Sequence, residues 1–134
     1  MIRVYTDMAA DMFHIGHLRL IKKAKSHGDY LIVGVHSDED MESYKRKPII
    51  PAEQRYEIIE SCKYVDEIIK DAPLLMNKEF ILKNNIDLIV RGDDVTPEHL
   101  EQQKDAIEMG IMRYVSRTPE ISTSGIIDKI RSMK

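Results

Sequence analysis

The chain has 134 residues, of which 43% are hydrophobic and 32% are charged, and its formal net charge is −3. This length suits one domain over residues 1–134. The weakly acidic balance gives no general attraction to nucleic acid or anionic lipid, so we expect neither nucleic acid nor a membrane as a partner. The single cysteine, Cys62, excludes an intramolecular disulfide, and its apolar surroundings predict a buried small hydrophobe. Without a signal peptide or an apolar run near the ~20 residues of a membrane span, the expected location is the cytoplasm.

Short β-branched and aromatic runs alternate with longer segments of helical spacing. The runs predict five buried strands, at 2–6, 30–36, 65–69, 87–91 and 111–115. The longer segments predict helices at about 15–27, 51–63, 76–84, 97–109 and 122–133. Pro51 and Pro97 suit first-turn positions, whereas Gly28 and Gly110 suit positions just after a helix. The alternation predicts an α/β, Rossmann-like fold: a five-stranded parallel sheet with helices on both faces.

The longest irregular stretch in this prediction is 41–50, which contains the basic cluster Lys45-Arg46-Lys47. A loop of that length in a compact domain is more often functional than idle, although a solvated loop is the alternative. Ligands of parallel α/β sheets bind beyond the carboxyl ends of the strands. That rule selects the segments 7–17, 36–50, 70–77, 92–96 and 116–124.

Two histidines, His14 and His17, flank Gly16 at the junction of the first strand with the first helix. A zinc site would need further ligands, and no cysteine or neighbouring His–carboxylate set supplies them. A helix N-terminus offers free N–H groups and partial positive charge, and two imidazoles there would add donors for a phosphate. A phosphate site and simple packing of two histidines against the backbone are the two interpretations left open by the motif alone.

The sequence around these histidines resembles a known family. His14-Ile15-Gly16-His17 matches the HxGH signature of the nucleotidyltransferase superfamily. Four longer stretches resemble its cytidylyltransferase branch in the expected order: "VYTDMAADMFHIGHLRLIKKAKSHGDYLIVGVHSDED", "QRYEIIESCKYVDEII", "NIDLIVRGDD" and "RTPEISTSGII". The resemblance implies a transferase that joins CTP to a small alcohol phosphate by direct in-line attack, releasing pyrophosphate. It also implies Mg²⁺ as cofactor and a homodimer.

The resemblance implies roles for individual residues. His14 and His17 would hold the triphosphate and stabilise the transition state, Lys45 or Lys47 would lie between CTP and the acceptor phosphate, and Arg117 would add a fixed positive charge. The implied nucleotide-binding set is Ala9, Ala10, Asp11, His14, His17, Gly92, Asp93, Asp94, Arg117, Ile121, Ser122 and Thr123. Asp11 is expected to order the first loop or to support the metal, whose ligands the sequence does not identify. The acceptor-binding candidates are Lys45, Leu74 and Lys78, the last being equally a surface lysine.

The chain departs from the family pattern at three positions. Met8 replaces a family glycine in the loop before His14, and Glu120 replaces the glycine of a second family signature, at Arg117–Ser124. A positive φ at Met8 would therefore be strained, and Glu120 would add negative charge near the triphosphate. Leu74 stands where an aromatic residue is usual and the chain has no tryptophan, which makes choline phosphate the least expected acceptor. Ethanolamine phosphate, glycerol 3-phosphate and other small phosphates or phosphonates remain candidate acceptors. The alternative functions are a catalytically impaired nucleotide-binding homologue and an adenylyltransferase of the same superfamily.

Overall fold

The computed structural model describes residues 1–118 and 121–133. Its strands are β1 (Arg3–Met8), β2 (Tyr30–Val35), β3 (Glu67–Lys70), β4 (Leu88–Gly92) and β5 (Met112–Val115). Its helices are α1 (Ile15–Lys25), α2 (Asp38–Tyr44), α3 (Ala52–Glu60), α4 (Lys78–Lys83), α5 (Pro97–Gln102), α6 (Lys104–Glu108) and α7 (Thr123–Ser132). Within the described residues, no helix has the length and apolar composition that crossing a membrane requires.

The five strands form one sheet in the order β3-β2-β1-β4-β5, and every pair is parallel. This confirms the predicted Rossmann-like α/β fold. The central strand is β1, whose Tyr5 pairs with Ile32 of β2 on one side and with Ile89 of β4 on the other. The chain reverses its direction of winding between β1 and β4, so a crevice opens beyond the carboxyl ends of these two strands.

Alternating side chains send the strands' residues into two cores, one on each face of the sheet. Val4 and Val90 lie in the first core with Ile21 of α1 and Ile59 of α3. Tyr5, Ile32 and Ile89 lie in the second core with Ile81 of α4 and Ala106 of α6. Helix α1 therefore covers the opposite face of the sheet from α4 and α6.

The helices differ from the sequence prediction in two places. Helix α2 lies in a segment that was predicted to be irregular from residue 41 onward, although Ser37 caps it by accepting the Asp40 N–H at 3.1 Å and three acidic residues occupy its first turn. The single helix predicted at 97–109 is two helices, separated at Gln103. That side chain is buried and accepts the Tyr114 hydroxyl at 2.7 Å, a tertiary contact that the local pattern does not reveal.

The two glycines that were predicted to follow helices, Gly28 and Gly110, have different roles. Gly110 follows α6 with φ at +73°, as the prediction requires. Gly28 has no positive φ; instead an added Cβ would lie 2.6 Å from Val4 Cγ2, so this glycine allows the chain to pass close to β1. The edge strands β3 and β5 are less buried than predicted, because each has only one neighbouring strand. Cys62 is half-buried and packs against the first core.

Candidate active site

Two adjoining cavities lie beyond the carboxyl ends of β1 and β4. The first has a volume of about 260 Å³ and is bordered by the N-termini of α1 and α7. The second has a volume of about 440 Å³ and is bordered by α2, α5 and Leu74. Six residues line both cavities: Asp7, His17, Lys45, Arg91, Asp94 and Thr123. The strand-end segments that the sequence selected therefore meet in one place.

The two histidines form a reciprocal cap at the start of α1. Nδ1 of His14 accepts the Gly16 N–H at 3.0 Å, and Nδ1 of His17 accepts the His14 N–H at 3.1 Å. Their rings are stacked with centroids 3.9 Å apart. Because both Nδ1 lone pairs are used, the proton of each neutral ring is on Nε2. Each ring thus keeps one Nε2–H donor, and both residues line the first cavity.

The electrostatics of the site keep these rings neutral. Burial, followed by the neighbouring His14 and Lys45, lowers the pKa of His17 to about 3. Burial and then Lys45 also lower the pKa of His14. Partial loss of hydration and the adjacent Arg46 lower the pKa of the Lys45 ammonium. An anion in the cavity would offset the part of these shifts that comes from neighbouring positive charge, but not the part that comes from burial.

Asp11 joins the first loop to the basic loop. Its buried carboxylate accepts the N–H groups of Ile49 and Ile50 at 2.9 and 2.8 Å and lies 3.5 Å from the guanidinium of Arg46. Its carbonyl oxygen accepts the Thr123 hydroxyl at 2.9 Å. Both carboxylate oxygens are therefore engaged in ordering loops, which is the first of the two roles considered for Asp11.

The positive φ angle considered at Met8 does not occur there; positive φ angles occur at two later residues of the same loop. Met8 is the last residue of β1, and the positive φ angles are those of Ala10 (58°) and Met12 (52°). These angles lie in the left-handed region, which costs energy for residues with a Cβ. The residues flank Asp11, so the strained backbone is held in place by the hydrogen bonds of that carboxylate.

The second signature lies at the start of α7. Ser122 caps the helix by accepting the Gly125 N–H at 2.9 Å. Arg117 is exposed at the first cavity and lies 3.3 Å from Asp94, while its backbone N–H donates to Asp93 at 3.2 Å. Glu120, which replaces a family glycine, lies outside the described residues.

The predicted site residues divide into three groups by location. The first cavity is lined by His14, His17, Lys45, Gly92, Asp94, Arg117, Ile121, Ser122 and Thr123. The second is lined by Ala9, Ala10, Asp11 and Leu74, together with the shared His17, Lys45, Asp94 and Thr123. Neither cavity is lined by Lys47, Lys78 or Asp93, all of which are exposed. Of the two loop lysines, the structure thus brings Lys45 to the histidines and leaves Lys47 outside.

A buried polar chain at the cavity floor was not predicted. The Asp7 carboxylate lies 3.0 Å from Arg91 Nη1 and 3.0 Å from His36 Nε2, and His36 Nδ1 lies 2.8 Å from the Tyr44 hydroxyl. Burial alone would raise the pKa of Asp7, but Arg91 and His36 shift the pKa below its usual value. The sequence did contain a signal for this chain. Each of the three inner strands, β1, β2 and β4, has one of these polar residues, Asp7, His36 or Arg91, at or next to its end.

Arg55 is a structural residue beside the cavities. Its side chain is completely buried, pairs with Asp38 at 2.7 Å, and donates to the carbonyl oxygens of Ile50 and His36 at 2.9 Å each. It also donates to the carbonyl of Ala9. One guanidinium therefore fixes the relative positions of three loops beside the cavities.

The described side chains of the site, those in 1–118 and 121–133, form no metal centre of their own. Within residues 1–118 and 121–133, no three His, Cys, Asp or Glu side chains are grouped as ligands for an ion. Asp11 is occupied by backbone N–H groups, and Asp94 is paired with Arg117. The donor set therefore does not fit a Mg²⁺ ion bound by the protein alone.

Comparisons with known proteins agree with this architecture. A family model described as cytidylyltransferase-like matches residues 8–129. The chain is 37% identical over 130 residues to the probable ethanolamine-phosphate cytidylyltransferase of Encephalitozoon cuniculi (strain GB-M1), covering 96% of this chain and 40% of that protein. It is 35% identical over 139 residues to choline-phosphate cytidylyltransferase A of Rattus norvegicus, covering 96% and 36%. The chain spans two fifths or less of the length of these two relatives.

Solved structures show the same fold. The lipopolysaccharide core biosynthesis protein from Thermoplasma volcanium GSS1 superposes with a TM-score of 0.74 at 27% identity, covering 88% of this chain and 98% of that chain. The pantothenate synthetase of Thermus thermophilus superposes with a TM-score of 0.57 at 14% identity, covering 87% and 55%, which shows the fold alone. The family model and the curated relatives together establish that the chain belongs to the cytidylyltransferase-like family.

Proposed function

We propose that this chain transfers a cytidylyl group from CTP to a small alcohol phosphate. The observation that carries the proposal is the pair of adjoining cavities, which share His17 and Lys45 on their common wall. Two substrates can then meet at a site lined by phosphate-binding groups. The names of the relatives support CTP as the donor, and they do not favour an adenylyltransferase or an inactive homologue. Ethanolamine phosphate and glycerol 3-phosphate are the acceptors to test first.

The family resemblance implies the following reaction for substrates bound in these two cavities. An oxygen of the acceptor phosphate attacks the α-phosphorus of CTP, a new P–O bond forms, and the bond to the β-phosphate oxygen breaks. Pyrophosphate leaves with the electron pair, and no covalent enzyme intermediate is needed. The protein's contribution is to position two anions and to stabilise the charge that develops between them.

The first cavity has the groups that a triphosphate requires. His14 and His17, each with one free Nε2–H donor, line it together with the N-termini of α1 and α7, and Arg117 lies at its edge. Helix N-termini attract phosphate through their free N–H groups and partial positive charge. A neutral histidine whose Nδ1 accepts a backbone N–H can donate a hydrogen bond from Nε2–H to a phosphate oxygen. Gly92, the last residue of β4, and Asp94, which follows it, line the first cavity and would bind the nucleoside.

The remaining expectations are proposals of the same kind. Mg²⁺ would enter on the triphosphate of CTP, because phosphate oxygens and water are ligands that this ion accepts readily, and it would neutralise phosphate charge. Leu74 and Lys45 would border the acceptor in the second cavity. A homodimer is proposed from the family resemblance and is tested by light scattering at several protein concentrations.

The experiment that tests the proposal is a pyrophosphate-release assay with Mg²⁺ and a panel of phosphorylated alcohols. CTP and ATP are compared at equal concentration for each acceptor. We expect acceptor-dependent pyrophosphate release with CTP and little with ATP. Release that prefers ATP would support an adenylyltransferase, whereas tight CTP binding without release over the whole panel would support the inactive homologue.

A further inference from the structure

Arg91 is the feature of the site that the family signatures do not account for. It lies in β4 and lines both cavities, and its side chain is 17% exposed. Among residues 1–118 and 121–133, the one acidic side chain paired with its guanidinium is Asp7, at 3.0 Å. A guanidinium has five N–H donors in a planar fork, so one contact with Asp7 Oδ1 leaves donors for a ligand in the cavity.

The alternation of side chains along β1 and β4 determines from which face of the sheet Arg91 projects, and therefore which substrate it would face. Asp7 follows Tyr5 by two residues in β1, and Arg91 follows Ile89 by two residues in β4. Tyr5 and Ile89 belong to the second core, so Asp7 and Arg91 project from that same face of the sheet. Helix α1, with His14 and His17 at its start, packs on the opposite face.

The phosphate-binding groups are thereby divided between two sides. The α1 N-terminus lies on the side of the first cavity, whereas Arg91 projects toward the side bordered by α5 and Leu74, where the second cavity extends. In the transfer reaction two phosphate groups must approach each other at the shared wall. Their mutual repulsion in a partly dehydrated site requires a cation on the acceptor side as well as on the CTP side.

We propose that Arg91 binds the phosphate of the acceptor, and that Asp7 is the positioning residue that holds its guanidinium. This inference rests on the proposed transferase function and specifies a phosphate monoester as the ligand of that side of the site. Arginine suits this ligand because its planar fork matches two phosphate oxygens at once. The other carboxylate oxygen of Asp7, Oδ2, contacts Nε2 of His36. Nδ1 of His36 in turn contacts the hydroxyl of Tyr44 at the end of α2. The chain of contacts therefore fixes Arg91 relative to Lys45, the residue after Tyr44.

The test compares Michaelis constants for the two substrates in Arg91→Met. We expect the KM for the acceptor to rise about 10- to 100-fold, as for loss of a charge-assisted hydrogen bond, and the KM for CTP to stay within about twofold. Arg91→Lys keeps the charge but not the fork, so its acceptor KM should lie between those of the wild type and Arg91→Met. Arg113→Met removes an exposed arginine from β5, outside both cavities, and should leave both constants unchanged. An unchanged acceptor KM in Arg91→Met, or an equal rise for CTP, would overturn the inference.

Two further variants protect the test against misfolding. Arg91→Met leaves the buried Asp7 carboxylate without its cation, so the double variant Asp7→Asn/Arg91→Met removes both charges. It should show the same weakened acceptor binding with a higher melting temperature than the single variant. Asp7→Asn alone should raise the acceptor KM by less than Arg91→Met does, with the CTP constant unmoved. A larger rise than in Arg91→Met would contradict the positioning role.

A binding measurement separates this inference from the proposed function. If the wild type transfers no cytidylyl group to any acceptor, the proposed function fails. Inorganic phosphate is then titrated by calorimetry into wild type and Arg91→Met that are both saturated with CTP. Weaker phosphate binding by the variant would still support the role of Arg91, whereas equal binding would overturn it.

Discussion

Nδ1 of His17 accepts the backbone N–H of His14 at 3.1 Å, so the cap of helix α1 leaves Nε2–H as the free donor of that ring. The equivalent bond from Gly16 to His14 has the same effect on the other ring. Under the proposed function, the two free donors would bind phosphate. The same side chains would then serve both the helix cap and the substrate, which a Ser or Asp cap does not offer in this form.

Replacement of His17 should separate these two roles. We expect His17→Ala to reduce kcat about 10²-fold or more, because a donor to the developing phosphate charge is lost. His17→Asn can still accept the His14 N–H, so it should recover stability but not rate. His27→Ala, which changes a histidine outside both cavities, is the control. Wild-type kcat in His17→Asn would show that the Nε2–H donor has no part in the reaction.

The neutral histidines also predict how stability depends on pH. The folded-state pKa of His17 is about 3, below the ~6.5 of an unfolded chain, so the unfolded state takes up the proton first. The contribution of His17 is therefore fully present above pH ~6.5 and is lost as the pH falls toward 3, by up to ~1.4 kcal/mol per unit. Urea denaturation at pH 7, 6 and 5 measures the slope. In His17→Asn the slope should be smaller, and an identical slope in wild type and variant would refute this origin.

Loss of the Asp11 carboxylate should release the basic loop. Asp11→Ala leaves the N–H groups of Ile49 and Ile50 without their acceptor, which should cost about 3 kcal/mol of folding free energy. We also expect faster trypsin cleavage beside Lys45 and Arg46, and a lower kcat because Lys45 is no longer fixed. Asp128→Ala, at a position of α7 outside both cavities, is the matched control. Unchanged cleavage and kcat would show that other contacts hold the loop.

Arg55 should prove essential to folding. Arg55→Met deprives three carbonyl groups and Asp38 of a buried cation, and we expect a loss of about 3 to 5 kcal/mol in unfolding free energy. The same substitution at the exposed Arg113 should cost far less. Chemical denaturation of both variants makes the comparison. A direct ligand role would instead give Arg55→Met normal stability with impaired nucleotide binding.

The strands and the ligand edge follow from local sequence, because β-branched runs and loop composition identify them without any knowledge of packing. Helix α2 could also have been predicted from the sequence, since Ser37 and the acidic residues after it form a helix start signal. The division of the predicted helix at Gln103 could not have been predicted, because Gln103 contacts Tyr114, which is distant from it in the local pattern. The pairing of Asp7 with Arg91 joins residues 84 positions apart, and only the register of β1 against β4 brings them together.

The histidine motif placed His14 and His17 together at the first cavity, whereas the loop sequences did not settle which of their residues would join them. His14 and His17 are three residues apart in one helix turn, so their proximity is local. Lys45 lines the same cavity at the end of α2, where Asp11 also holds the basic loop against the first loop, and the sequence did not distinguish Lys45 from Lys47. The same limit applies to the positive φ angles, which fall at Ala10 and Met12, on either side of Asp11 and its hydrogen bonds to the basic loop.

The central claim is that the two substrates meet where the two cavities adjoin, at His17 and Lys45, which line both cavities. The most direct measurement follows ³¹P signals of CTP, Mg²⁺ and each candidate acceptor phosphate over time with the wild-type protein. We expect one acceptor signal to be replaced by the paired signals of a diphosphate linkage while pyrophosphate appears in equal amount. Folded protein that produces no such linkage with any acceptor, or that produces it from ATP in preference to CTP, would contradict this claim.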